Sequence, residues 1–533
     1  MKIAKTGYWC RLALASVLLA CAGIADGWAA GKAVLAIGRD ASDIRTLDPA
    51  RAAETTPPLI FRSVYDTLVT LTPDDYNALK PMLAEKWEPA DDGAAWLFHL
   101  RPGVSFASGN ALTAADVKFS IDRLKNLKDQ PAYLTENIAA VDVVDDHTVK
   151  LTMVDRRKPL LKLLASVSFS VLDSKLLSGH GGTAAADADT TDAATAWLDD
   201  QSAGSGPYRM TAWQRNTAVV LERNEKYWGE PAPFQRVVIR YMADSGAQLL
   251  ALKNGDIDVA FNLTPEQLKS LEGDAAISIQ SGLSLDFAYM TLTGSAEMSE
   301  PLSKRPVRQA IASAIDYDGI ISSLLGGYAV RPASFLAIGM AGSTEALTGK
   351  IGYRHDPAKA KALLAEAGYE KGFSFELSYP NTAFGGISYE VLAQKIQSDL
   401  AAVGVSMTLE PMTTTNFTSK FKGAKSVAAM WEWVPDIPDP YTWTGPAVER
   451  LADRVHWKPS EDVVALVSQS ASKADAAEAA PLNENFLGRL VDNANYIVLF
   501  QPVYRVATRN SITGYRVTAA GWLTDLADIK PAP

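Results

Sequence analysis

The densest concentration of chemistry-bearing residues in the chain is Met430-Trp431-Glu432-Trp433-Val434-Pro435-Asp436-Ile437-Pro438-Asp439-Pro440-Tyr441-Thr442-Trp443. Val427–Trp433 reads as a strand that the prolines end. Alternation along a strand puts Trp431 and Trp433 on one face and Glu432 on the other. A paired aromatic wall with the Asp436 carboxylate just beyond it suits an amine, or a polar solute with apolar parts. Strand ends of open α/β sheets are where ligands bind. The same residues also read as core tryptophans and turn-capping aspartates. A third reading makes Asp436 and Asp439 the paired carboxylates of a secreted hydrolase. Their three-residue spacing, with Pro438 between them, works against convergence on one bond.

Other enzymatic signals are poor. There is no Gly-rich phosphate loop, no HExxH and no GxSxG. The five histidines (His99, His147, His180, His355, His456) are scattered without metal-ligand spacing, so neither a metal nor a cofactor is expected. Gly204-Ser205-Gly206-Pro207 reads as a tight turn rather than an active-site serine.

The chain has 533 residues, 47% hydrophobic and 21% charged, which is globular composition with material for several domains. Its net charge of -10 argues against a general nucleic-acid binder. Lys2, Lys5 and Arg11 precede an apolar run from Leu12 to Leu19, and small residues around Ala29 and Ala30 follow. That pattern reads as a cleavable signal peptide over residues 1–30, too short in its apolar part to span a membrane. The leader carries three cations and one anion, a net of +2, so its removal takes -10 to -12. The only two cysteines, Cys10 and Cys21, fall inside it, so the mature chain is expected to form no disulfide. Leu18-Leu19-Ala20-Cys21 also resembles a lipoprotein cleavage box, of which Leu19 makes a mediocre example.

The elements that must position these residues are α/β in pattern. Val34–Ile37 is a short strand, and Leu59–Leu71 has apolar residues at helical spacing. Trp96, Phe98 and Leu100 alternate, Arg101-Pro102-Gly103 turns, and Val104 and Phe106 alternate again, which predicts a hairpin. Thr113 and Asp116 predict a capping box ahead of the Val117, Ile121, Leu124 stripe. Val141–Val144 and Val149–Met153 predict a second hairpin. Gly179–Thr195, rich in Ala, Asp and Thr, predicts an exposed loop. From residue 237 the pattern becomes strand–helix–strand. Asp356 caps a helix with Pro357 at its start and Gly368 past its end, and 373–379, 392–403 and 405–409 follow as strand, helix and strand. Two such regions suggest two lobes with largely parallel sheets.

Several stretches, weak singly but specific in order and spacing, carry a resemblance. They include Leu47-Asp48-Pro49-Ala50, Val64-Tyr65-Asp66-Thr67-Leu68, Pro81-Met82-Leu83-Ala84-Glu85-Lys86-Trp87 and Gly204-Ser205-Gly206-Pro207-Tyr208. Asn224-Glu225-Lys226-Tyr227-Trp228, Leu252–Asp258, Arg305–Asp316 and Asp356–Gly368 continue it. Over nearly the whole mature chain the sequence resembles the solute-binding proteins of the peptide/nickel class of ABC importers, of the dipeptide- and oligopeptide-binding type (bacterial extracellular solute-binding family 5). The resemblance implies a two-lobe periplasmic-binding-protein (Venus flytrap) fold of the large type, with an extra subdomain in the N-terminal lobe. Lobe I would be residues 31–288 with the inserted subdomain at about 60–200, lobe II residues 289–499, and 500–533 a return to lobe I. Two strands, near Leu285–Leu292 and Ile497–Tyr504, would join the lobes.

It also implies an exported, periplasmic, non-enzymatic receptor, expected as a monomer. The receptor would take a peptide or other small-molecule solute to permease and ATPase subunits on other chains. An opine, an oligosaccharide or a metal chelate are the alternative ligands. In peptide-binding members a Trp followed three residues later by Asp places a carboxylate on the ligand's α-amino group, and Trp433 and Asp436 match. Dipeptide binders resemble one another in an Arg just after the strand equivalent to Phe373–Tyr379. Here Pro380-Asn381-Thr382-Ala383-Phe384-Gly385-Gly386 has none. The expected ligand-binding residues are therefore Asp436, Trp433, Trp431, Phe384 and Asn381. The expected ligand needs no free carboxylate close to its amine.

Overall fold

The computed structural model describes residues 33–72, 75–156, 158–473, 475–520 and 523–533, so the expected leader with Cys10 and Cys21 lies outside it. Among the described residues no helix is long and apolar enough to cross a membrane.

Apolar β-branched strands build one 12-stranded sheet in two halves. In the first half Val34–Arg39 lies parallel between Arg236–Tyr241 and Val259–Ala260, and Ala218–Arg223 and Tyr208–Gln214 extend it antiparallel. In the second half Phe373–Pro380 lies parallel between Val405–Met412 and Ala428–Trp433, and Phe287–Leu292 adds antiparallel to Ala428–Trp433. The expectation of largely parallel sheets is thus corrected. The strand–helix–strand units are parallel, but strands that return across the molecule pair antiparallel.

Tyr496–Arg509 belongs to both halves. Its first part pairs with Phe287–Leu292 and its later part, from Val503, with Ile277–Leu283. Where the chain passes between the halves, the Ser284 N–H donates to the Pro502 carbonyl at 3.0 Å. The fully buried Gln501 side chain there accepts from the Ile338 N–H at 2.8 Å and donates to the Ile338 carbonyl at 2.9 Å. Separate apolar clusters fill each half. Leu35, Ile37, Val237 and Ile239 pack in one, and Met290, Leu377, Ile396 and Met430 in the other.

A separate four-stranded sheet, Ala84–Ala90, Ala95–Leu100, Thr148–Met153 and Ile138–Asp145 in spatial order, carries the helix Ala114–Asn126. The Thr113/Asp116 capping box is formed, and Ile138–Asp145 and Thr148–Met153 make the predicted hairpin. The first predicted hairpin is corrected. Ala95–Leu100 pairs with Ala84–Ala90 and Thr148–Met153, while Val104 and Phe106 are buried without joining it. The helix expected over 59–71 stops at Val64, whose carbonyl is taken by the Gly206 N–H at 3.0 Å. A Cβ at Gly204 would lie 2.0 Å from that oxygen, so this turn requires glycine. Ser205 between them donates to Asp66 at 2.8 Å and is buried, as a turn residue should be.

Gly179–Thr195 is not a plain exposed loop. Ala188 and Ala194 are buried, and Asp192 meets Arg123, which is 0% exposed. Arg123 forks onto Asp48 at 2.9 and 2.7 Å and onto Asp192 at 2.8 and 2.8 Å. Arg123 between two carboxylates, with Arg51 3.8 Å from Asp192 and Lys128 2.9 Å from Asp189, holds the segment down.

Candidate functional site

The parallel strands of both halves end on one cavity of about 1520 Å3. Arg39 and Asp40 end the first strand, Phe261 and Asn262 follow Val259–Ala260, and Trp431 to Asp436 end the strand Ala428–Trp433. This is the crevice outside the carboxyl ends of strands where open α/β sheets bind ligands.

Trp431 stands opposite Tyr289 and Trp433 opposite Phe287 in the antiparallel ladder, with Glu432 between them on the other face, as the alternation predicts. Trp431 packs edge-on to Phe417, ring centres 5.1 Å apart, and Trp433 packs on Phe335 at 5.2 Å. Both therefore brace the core and present a part to the cavity they line. The Trp433 indole N–H is buried with no hydrogen-bond partner among the described residues. Val434 and Pro435 end the ladder, and Asp436 follows on the cavity wall.

Asp436 accepts a hydrogen bond from the Tyr133 hydroxyl, 303 residues away in sequence. Burial raises its pKa, against the Tyr133 bond and the Arg450 charge, which lower it. Asp439 does not belong to the wall. Its carboxylate accepts from the Tyr441 N–H at 3.0 Å and lies 3.6 Å from Lys162, which makes it a turn residue. The two acids of the hydrolase reading are thus separated in role.

Phe384 lines the cavity from a two-strand finger, Ala383–Phe384 against Ile387–Ser388. Gly385 and Gly386 turn it with φ of +60° and +92°, the left-handed pair that tight hairpins need. A Cβ on Gly385 would sit 2.8 Å from the Phe500 ring, so glycine lets the finger lie close to the long strand. Asn381 is exposed and is not among the residues that line the cavity. Its N–H donates to Met412 at 2.7 Å and prolongs the strand pairing instead.

The structure also brings in residues that the sequence reading missed. Asp286, at the passage between the sheet halves, accepts from Tyr504 at 2.9 Å, and its second oxygen is buried without a partner among the described residues. Burial pushes its pKa up to about 7, Tyr504 opposes this and Glu432 adds to it. Glu432 accepts from the Tyr389 hydroxyl, and burial raises its pKa too. Three carboxylates on the wall thus each hold a tyrosine hydroxyl and, among the described residues, no ion-paired cation. Buried in this way they are acceptors for a ligand's ammonium.

Cations reach the cavity from elements other than 380–386. Arg39, Lys422, Arg450, Arg454 and Arg505 line it. Arg331, Arg354 and Lys420 are engaged elsewhere. Arg331 donates to Tyr353, Arg354 to Gly349, and Lys420 pairs with Glu376 and Glu410.

Residues 78–449, more than half of the chain, match the family described as bacterial extracellular solute-binding proteins, family 5 Middle. The chain is 28% identical over 491 residues to the probable D,D-dipeptide-binding periplasmic protein DdpA of Escherichia coli (strain K12), covering 91% of each. It is 27% identical over 468 residues to the dipeptide-binding protein of the same organism, covering 83% of this chain and 84% of that one. Among solved structures it is similar to the ABC transporter-associated periplasmic binding protein DppA from Helicobacter pylori in complex with peptide STSA. That likeness has a TM-score of 0.76 and 23% identity, and covers 94% of this chain and 98% of that one.

Proposed function

The chain belongs to the bacterial extracellular solute-binding proteins of family 5, and we propose that it is the exported receptor of an ABC importer for a peptide or peptide-like solute. The solute lies between the lobes and passes unaltered to permease and ATPase subunits on other chains. Relatives named for dipeptide binding, covering most of both chains, support this substrate class. The observation that carries the reading is the cavity at the strand ends, where Asp436 follows Trp433 on the wall. We place lobe I at residues 31–288 and 500–533 and lobe II at 289–499, with the passage at Ser284–Asp286 and Gln501–Pro502 as the hinge.

In this reading the ligand's ammonium donates to Asp436, which shares it with the Tyr133 hydroxyl. Trp431 and Trp433 supply apolar wall, and Phe384 covers an apolar part of the ligand. Tyr133 packs against the apolar cluster of the 84–153 sheet and donates to Asp436. Ile437 packs in the same apolar cluster as Leu134 and Leu164. A ligand that adds contacts to both walls favours the closed arrangement, because only differential affinity shifts a population.

The test is calorimetry with alanyl di- and tripeptides, with recovery of the ligand and its mass afterwards. Asp436→Asn is expected to weaken binding by about 2–5 kcal/mol, since a desolvated ammonium loses its counter-charge. N-acetylated peptides should be weakened similarly in wild type and be indifferent to the substitution. Wild-type affinity in the variant, or cleavage of the recovered peptide, would overturn the proposal.

A further inference from the structure

Lys422, Arg450 and Arg454 meet at one corner of the cavity wall. Arg450 and Arg454 are four residues apart on the helix Arg450–Arg454, a spacing at which like charges destabilise a helix. Lys422 ends the helix Thr414–Lys422 beside them. Of the acids nearby in sequence, Glu449 lies 3.7 Å from Lys158 and Asp439 3.6 Å from Lys162, and Asp453, on the same helix, makes no ion pair with either arginine among the described residues. Among the described residues the three cations have no carboxylate within ion-pair distance.

Aromatic rings hold two of them in place instead. The Arg450 guanidinium lies 5.0 Å from the Tyr133 ring centre and 5.6 Å from that of Trp433. Arg454 lies 5.4 Å from that of Phe421. Such stacking orients a guanidinium and leaves in-plane donors for a carboxylate, and Arg450 shares its donors with the Tyr133 hydroxyl. Burial lowers the pKa of Lys422, and the charges of Arg454 and Arg450 lower it further. Arg450 also acts on Asp436, whose pKa its charge lowers, so the corner adjoins the acid pole.

We infer that Lys422, Arg450 and Arg454 form a receiving corner for a carboxylate of the ligand. This rests on the peptide-like reading above and names its substrate class as a zwitterion. The acid pole and the cation corner are close. Burial raises the pKa of the Tyr289 hydroxyl, and the charges of Arg454, Glu432 and Arg450 all act on that one group. A solute carrying an ammonium and a carboxylate can therefore engage both, and the missing arginine at 380–386 is compensated from another element. The carboxylate can be a chain terminus or an acidic side chain.

The experiment is calorimetry with trialanine, its C-terminal amide, N-acetyl-trialanine and Ala-Ala-Glu-amide, on wild type and the Arg450→Gln/Arg454→Gln double variant. In wild type, amidation of trialanine should cost more than about tenfold in Kd. In the double variant the acid and amide should differ by less than about threefold, and a thermal unfolding transition like that of wild type reports an intact fold. Recovery of affinity by Ala-Ala-Glu-amide assigns the corner to a side-chain carboxylate, and no recovery assigns it to the terminus. Equal binding of acid and amide by wild type overturns the inference and leaves the peptide reading standing. Failure of every peptide to bind wild type overturns that reading instead, and thermal shift with glutarate against glutaramide then judges the corner alone. A shift by glutarate that the double variant loses supports it, and equal shifts overturn it.

Discussion

Asp286→Asn removes a charge from the place where the two halves of the sheet are joined. Asp286 is 7% exposed, accepts one bond from Tyr504 and leaves its other oxygen unpartnered. Its pKa rises from 3.8 to about 7 on folding, chiefly through burial. Between those values the unfolded chain has lost this proton and the folded chain keeps it. The folded state then binds more protons, so this group's contribution to stability falls as pH rises and levels off once both states are ionised. At about 1.4 kcal/mol per pH unit, the loss attributable to Asp286 between about pH 5 and pH 8 is about 2–3 kcal/mol. Asn resembles the protonated acid in size and hydrogen bonding and does not titrate. Urea unfolding of both proteins at the two pH values provides the assay. The stability difference, variant minus wild type, should grow by that amount from pH 5 to pH 8, because other raised carboxylates such as Asp66 titrate in both proteins. A difference constant to within about 0.5 kcal/mol would refute the burial argument.

Arg123→Ala should destabilise the fold by about 3–5 kcal/mol, since Asp48 and Asp192 would remain buried without their cation, and thermal unfolding reads this directly. Gly385→Ala should cost about 1–3 kcal/mol through its positive φ and its approach to Phe500, measured by urea unfolding.

Much of the fold is legible where local signals agree with tertiary need. The Asp356 cap with Pro357 produces the helix Pro357–Glu366, and Gly368 follows with a φ of +87°. Gly255 caps Ser245–Asn254 with a φ of +84°. The failures have physical causes. Ala84–Ala90, the real partner of Ala95–Leu100, is mostly solvent-facing and contains Pro89, so it lacks the apolar alternation that marks a strand. The 179–195 segment looks like a solvent loop because its buried charge, Asp192, pairs with Arg123, 69 residues away.

The site divides in the same way. Trp431, Trp433 and Asp436 are adjacent in sequence and so declare themselves. Asp286, Tyr133, Arg450 and Arg454 gain meaning only when the chain brings them to one wall. Two signals did exist. The Arg450/Arg454 pair repeats one charge at helical spacing, and Asp286 interrupts an otherwise apolar run.

The central claim is that a peptide-like solute occupies the cavity between the lobes. Native mass spectrometry of the full chain, exported by a bacterial host and purified without refolding, tests it most directly. The account predicts a one-to-one adduct of peptide mass that is released unaltered on denaturation and is lost in Asp436→Asn. A protein that stays free of adduct, and gains none on incubation with a di- and tripeptide mixture, would contradict it.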